Sequence, residues 1–468
     1  MLDANLEGLL FLLDSATEPT ETWGRRAYRN IKRNLENIRN VSLYTNLDRY
    51  QRAVADLNRI LELTGSIKKN SLSLANFQDT SYSPLKSDDL IRVARQPEDN
   101  IFYPYFSKRL GEILVKKQYR MIGFSLNYLS QAISTFAMIG FIKQIEPNLP
   151  VALGGGLVTS WARNPGWHNP FTGIVNYVVP GPGENALLRL LGQNKSLCHH
   201  TPDFDGLPLS NYLAPGFILP YAASSGCYWN KCSFCPEKAE KNPYFAVPTD
   251  CVLNDIDHLK DQTNPTLIHF LDNAISPALL KAFTTRPSSV PWYGFARVHR
   301  DLTDVDFCHA LRKSGCVLLK LGLESGNQDI LDSMDKGIDL ALVSKALNAL
   351  KNAGIKTYVY LLFGTPSETI VEARHTLDFT VQHADTIAYL NLAIFNMPTC
   401  SPEAGWLEVS SFFEGDLSLY TDFVHPHGWN RKAIRRFLDQ EFKRHPVIAS
   451  ILRRDPALFT SNHAPFFC

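Results

Sequence analysis

Ser225-Gly226-Cys227-Tyr228-Trp229-Asn230-Lys231-Cys232-Ser233-Phe234-Cys235-Pro236 is the stretch from which the rest of the chain is best read. Three thiolates in one short loop can bind three irons of a cubane iron–sulfur cluster and leave the fourth iron open to a small molecule. An open iron is a catalytic feature. Zinc is the rival occupant, yet a structural zinc ion wants four tetrahedral ligands and commonly a second cysteine pair. The nearest further donors are Cys198, His199, His200 and Cys251, none of them in a C-x2-C pair.

Outward from this loop the pattern alternates. β-Rich runs fall at 218–223, 267–271, 292–296, 317–323, 358–363 and 387–395, with helical periodicity between them at 252–259, 277–283, 305–313, 340–353 and 370–383. Strands alternating with helices predict βαβ units on a parallel sheet. Six units joined right-handedly curl into a partial (β/α)6 barrel with its reactive groups at the carboxyl ends of the strands. The cysteines follow the first strand, so they belong at the barrel mouth.

Upstream, 120–127, 150–153 and 175–179 read as strands and 131–146 as a helix. Gly154-Gly155-Gly156 and Gly181-Pro182-Gly183-Glu184 supply turns that let a backbone approach a ligand closely, or simply turn tightly. The expected organisation is a mostly helical region at 1–105, a Rossmann-like α/β domain at 106–195, a linker at 196–217, the barrel at 218–400 and a small helical cap at 401–468. Arg and Lys between 23 and 40 read as a solvated helix face.

A net charge of +1 gives no reason to expect nucleic acid or an anionic membrane as partner. No apolar run reaches the length of a membrane span, and the apolar stretch at 6–13 is too short and too acidic in its flanks for a signal peptide, so a cytoplasmic protein is expected. Nine cysteines, an odd number, argue against a disulfide framework. Cys400 follows the sixth strand and Cys468 is terminal. Either can be an inert thiol, and Cys400 can alternatively face the active site, acting in chemistry or binding a soft ligand. Trp406, Phe412, Phe413, Tyr420, His425, His427, Trp429 and His463 read first as the core of the cap and second as a lid over the mouth.

With the cysteines placed after the first of six strands, the chain resembles the radical S-adenosylmethionine (radical SAM) enzymes over 218–400. It resembles their cobalamin-binding-domain subgroup over 106–400. The resemblance implies a 4Fe-4S cluster on Cys227, Cys232 and Cys235, which would cleave S-adenosylmethionine (SAM) reductively to a 5′-deoxyadenosyl radical. It places Phe234 and the turn of Gly364-Thr365-Pro366-Ser367-Glu368 near the adenine. Asp272 and Asn273 fall near the methionine amino group, Glu324 and Ser325 near the ribose and methionyl part, and Arg297 at a charged contact. Ser125-Leu126-Asn127, followed after 26 residues by Gly154-Gly155, resembles the serine–glycine spacing that cradles the cobalamin nucleotide tail.

Three departures stand beside the likeness. The spacing is C-x4-C-x2-C where C-x3-C-x2-C is commonest, and the Asp-x-His-x-x-Gly cobalt-ligand motif is absent. Residues 2–5 look like the end of the subgroup's second strand, which implies a truncated or degenerate domain. The expected activity is cobalamin-dependent methylation of an unactivated centre in a small molecule or peptide, with electrons from a flavodoxin or ferredoxin-type donor. The alternatives are radical SAM chemistry without methylation (cyclisation, rearrangement or transfer of another SAM fragment) and a non-catalytic metal-binding or sensing protein.

Overall fold

The computed structural model describes residues 4–193, 199–458 and 463–467. Two hydrophobic cores organise them. The first joins the N-terminal helices to a small parallel sheet, with Ile38, Tyr50, Leu57 and Leu61 packed in one cluster with Ile133, Phe136 and Leu153. Its longest helix, α1 (Leu47–Ile67), starts where the Asn46 side chain accepts from the Arg49 N–H. Ala4–Asp14 is a helix, where a strand end was expected at 2–5. Leu6, Leu9, Leu10 and Leu13 recur at helical spacing, and Leu12 and Leu13 are buried in this core.

The sheet of this first region runs β1 (Ile122–Ser125), β2 (Val151–Gly154) and β3 (Tyr177–Val179), all parallel and in sequence order. α2 (Leu129–Ile145) connects β1 to β2 and is buried continuously from Ala132 to Ile142. A helix wedged between a sheet and other helices has no face left for water, which explains its unbroken apolar run. α3 (Gly156–Arg163) follows β2 directly.

The second core is the barrel. β4 (Ile218–Tyr221), β5 (Leu267–Phe270), β6 (Trp292–Ala296), β7 (Cys316–Glu324), β8 (Lys356–Phe363) and β9 (Tyr389–Ile394) lie side by side in sequence order, every pairing parallel. The connecting helices are α4 (Thr249–Thr263), α5 (Pro277–Thr285), α6 (Val305–Lys313), α7 (Leu340–Asn352) and α8 (Ile370–Gln382). Local chemistry starts them: Ser276, Asp304, Asp339 and Thr369 each accept a backbone N–H in the first turn, and Glu372 completes a capping box with Thr369. Leu219, Ile268, Leu319, Leu321 and Leu361 pack against the helices. The alternate residues Leu267, Tyr293, Leu318, Tyr358 and Tyr389 share the inner face.

The C-terminal cap is helical at α9 (Arg431–Phe437) and at Pro446–Leu452, but before these it holds an antiparallel sheet of Met397–Pro398, Tyr420–Phe423 and Val409–Ser411. The cap also fastens the two cores together: Leu417 N–H donates to the Leu85 carbonyl at 3.0 Å and Thr399 donates to Asn164. No helix among the described residues is long and apolar enough to cross a membrane.

Candidate active site at the strand ends

Where β4 ends, the chain is braced before it reaches the cysteines. Ala223 N–H donates to Asp272 Oδ2 at 3.0 Å and Ser224 Oγ donates to Oδ1 at 2.5 Å. Asp272 is buried, which pushes its carboxyl upward, and these two donors pull it back part of the way. Asn273 Nδ2 donates to the Gly226 carbonyl at 3.3 Å. Asp272 and Asn273 therefore hold the cysteine loop in place. The loop itself carries three free thiols, with Cys232 buried and Cys227 and Cys235 half-buried. Burial pushes the Cys235 thiol up to about 11.

Two buried cations approach the loop. Arg297, 9% exposed, points Nη1 at Cys232 Sγ (3.8 Å), donates through Nη2 to the Lys336 carbonyl, and lies 4.1 Å from the Trp229 ring. Trp229 is pinned in turn by its Nε1–H on the Asp335 carbonyl at 3.0 Å. Lys336 Nζ donates to Glu324 Oε1 at 2.8 Å, with both side chains nearly buried, and sits 5.5 Å from the Phe234 ring. Burial raises the Cys232 thiol, while Lys336 and then Arg297 favour its thiolate. Lys336 and Trp229 were absent from the sequence-based site: Lys336 lies in a loop without periodicity, and no local signal marks it.

Beside this group is a small cleft lined by Ser233, Phe234, Met334, Thr365, Pro366 and Phe395 among others. The structure thus brings Phe234 together with the turn after β8. Gly364 turns there at φ +87°, where a side chain would be strained and its Cβ would meet Ile434 of α9 at 2.4 Å. Its N–H donates to Glu368 Oε2 at 2.5 Å, which also accepts from Trp429 Nε1 at 3.0 Å. Glu368 Oε1 and Thr365 Oγ1 are buried without a hydrogen-bond partner, and burial pushes the Glu368 carboxyl up to about 7.

Ser325 is placed differently. It is fully buried and tied to Thr376 on α8 at 3.1 Å, away from the cleft. Of the cap residues, His425 and Trp429 are buried against the Gly364 turn, with His425 Nε2 2.9 Å from the Thr365 carbonyl. Trp406 borders the cleft and is exposed, as are Phe413 and His427. Cys400 is half-buried and does not line this cleft. Cys198 and Cys468 lie outside the described residues.

The glycine turn of the first region is shaped by its own backbone. Gly155 has φ +104°, and a Cβ there would lie 2.4 Å from the Leu126 carbonyl oxygen; one on Gly154 would lie 3.0 Å from that of Val179. Close packing of β1, β2 and β3 accounts for both glycines. Ser125 and Asn127 stand exposed at the end of β1, bonded to each other at 3.1 Å, and Asn127 Oδ1 accepts the Gly156 N–H at 2.9 Å.

The donor chemistry fits an iron–sulfur cluster: three free thiols surround one loop, and two buried cations stand ready to offset thiolate charge. Among the described residues no three His, Cys, Asp or Glu side chains converge tightly enough for a single metal ion. Residues 221–380 match the model of the Radical SAM superfamily. The match takes in the cysteine loop and strands β5 to β8.

The fold as a whole is similar to that of two solved radical SAM enzymes. TsrM from Kitasatospora setae, a radical SAM methyltransferase solved with tryptophan substrate and a SAM analogue, superposes with TM-score 0.58 at 16% identity, covering 81% of this chain and 87% of that one. OxsB, a cobalamin-dependent radical SAM enzyme solved with aqua-cobalamin and SAM, gives TM-score 0.57 at 14% identity, covering 71% and 60%. An uncharacterized methyltransferase of Pyrococcus horikoshii, PH0819, is 25% identical over 188 residues. That span is 38% of this chain and 40% of that protein's length.

Proposed function

We propose that this chain is a cobalamin-dependent radical SAM methyltransferase that acts on an unactivated centre of a small molecule or peptide. The observation that carries the proposal is the gathering, at one end of the parallel sheet, of three free cysteines, two buried cations and the cleft between Phe234 and the Gly364 turn. When bound, the 4Fe-4S cluster supplies the electron that splits a carbon–sulfur bond of SAM to give the 5′-deoxyadenosyl radical, and methylated cobalamin supplies the methyl group.

The residues of this chain bind, orient and shield. Cys227, Cys232 and Cys235 hold the cluster, with Arg297 and Lys336 balancing the thiolate charge. Phe234, Thr365 and Phe395 offer an apolar slot to the adenine, and Glu324 and Asn273 offer polar groups to the rest of SAM. Asp272 acts one step back, by fixing the loop that carries the cysteines. Fixed positions lower the barrier through proximity, and the cleft walls keep water from the radical. Ser125, Asn127 and the Gly154–Gly156 turn face the corrinoid. Reduction comes from a flavodoxin or ferredoxin-type donor in the cytoplasm, with no nucleic acid or membrane involved.

Protein purified without oxygen should contain iron and acid-labile sulfide, and with SAM and dithionite it should yield 5′-deoxyadenosine. A Cys232→Ala variant should yield none. Cluster-loaded wild-type protein that makes no deoxyadenosine overturns the proposal. With substrate and cobalamin, S-adenosylhomocysteine should accumulate as well. A second reading, radical SAM chemistry without methylation, is favoured by one observation: backbone packing alone accounts for Gly154 and Gly155. Near-stoichiometric corrinoid in the purified protein counts against it.

A further inference from the structure

The inner face of the barrel carries a buried cation that the chemistry above does not use. Lys320 is 6% exposed at the middle of β7. In the parallel register it lies between Phe295 on β6 and Tyr358 on β8, and Tyr358 in turn faces Tyr389 on β9. Its Nζ sits 5.1 Å from the rings of both Tyr293 and Phe295. Among the described residues no carboxylate pairs with it. Burial pushes its ammonium down to about 8, so it remains a cation at neutral pH. Ring faces return part of the desolvation cost of a buried charge, but an anion offsets it far better.

The inner face is tightly packed at and below the level of Lys320 and less so above it. Below Lys320, Phe466 lies 4.2 Å from the Tyr293 ring, His269 stacks on the other contact of that tyrosine at 4.3 Å, and the Pro465 carbonyl accepts from Lys356 Nζ at 3.4 Å. Above it, towards the mouth, Phe295, Tyr360, Leu362, Asn391 and Ala393 are only half-buried. Gly322, one inward step above Lys320, has no side chain, and the Glu324–Lys336 pair closes over that point. Four residues of strand separate Lys320 from Glu324, about 13 Å. A ligand anchored on Lys320 therefore passes beside the Glu324–Lys336 pair, along the half-buried Phe295, Tyr360 and Leu362.

We infer that this inner face is the substrate subsite and selects a planar or aromatic molecule bearing an anionic group, such as a carboxylate, with the anion on Lys320 and the body against Phe295, Tyr358 and Tyr360. The inference rests on the strand ends being the reaction centre, and it adds the substrate class. Lys320 is a binding residue here, at the far end of the molecule from the reacting atom.

Equilibrium dialysis of full-length, anaerobically purified protein tests it, with phenylacetate and naphthylacetate as acids and their amides as neutral isosteres. The acids should bind at least about tenfold more tightly than the amides, Lys320→Met should abolish that difference, and Lys320→Arg should keep it. Thermal melting and iron content establish that each variant is folded and loaded. If Lys320→Met does not fold, the acid-to-amide ratio in wild type and Lys320→Arg still decides. Equal binding of acid and amide, a preference that survives Lys320→Met, or no binding of the acids overturns the inference. The readout needs no turnover. Wild-type protein that prefers acids through Lys320 yet makes no deoxyadenosine would refute the radical chemistry alone.

Discussion

The barrel mouth and the glycine turn after β2 are built on different principles. At the barrel mouth, polar groups are imported from distant sequence: Asp272 braces residues 223–224, Lys336 reaches back to Glu324, and Arg297 spans Trp229 and Cys232. At the end of β2 the turn is self-sufficient, because Gly155 is demanded by the Leu126 carbonyl just past the adjoining strand β1. Buried polar groups with assigned partners are costly unless the whole arrangement is kept, so they mark a place where charge has a purpose. A glycine that fits only its own backbone carries no such message. The contrast makes the barrel mouth the stronger functional assignment of the two.

The sharpest way to break this comparison is to remove one member of the buried ion pair. Lys336→Met leaves Glu324 buried and unpaired, and should cost about 3–5 kcal/mol in urea unfolding. Adding Glu324→Gln to it should recover most of that loss. A Lys336→Met protein as stable as wild type would make the pair incidental.

The next effect is a pH dependence. The folded carboxyl of Glu368, pushed up to about 7 from an ordinary value near 4.5, binds a proton that the unfolded chain releases earlier. Its contribution is therefore favourable at low pH and is lost as pH rises from about 4.5 through 7. Against wild type, Glu368→Gln should be close in stability at pH 5 and gain on the order of 3 kcal/mol at pH 8. Parallel urea curves for the two proteins at both pH values would show instead that Glu368 titrates normally.

The smallest effect falls on the other turn. Gly155→Ala should destabilise the protein by about 1–3 kcal/mol, from positive φ and the clash with Leu126, in protein with and without added cobalamin alike. Ser125→Ala should leave stability unchanged and lower the corrinoid content. If Gly155→Ala removed corrinoid without a stability cost, the glycine would be a ligand contact and the contrast between the turns would fall.

Much of this was legible in the chain itself. The strands at 292–296 and 358–363 and the helix at 305–313 are locally encoded, since apolar spacing and caps such as Asp304 act within a few residues. The cysteine loop was legible for the same reason. Lys320 also left a trace, as a lysine inside the otherwise apolar run Cys316-Val317-Leu318-Leu319-Lys320-Leu321, although nothing local says which face it takes. The strand end read at 2–5 came from the family likeness and not from local spacing, and the helix that begins at Ala4 replaces it.

What the sequence determined by itself was therefore the repeating βα frame, the three thiols and their place after its first strand. Only the tertiary structure decided that Lys336 neutralises Glu324, that Arg297 faces Cys232, that Ser325 is tied to α8 and that Lys320 points inward. Such pairings depend on strand register and on loops that close across the mouth, and a one-residue slip would turn each side chain to the opposite face.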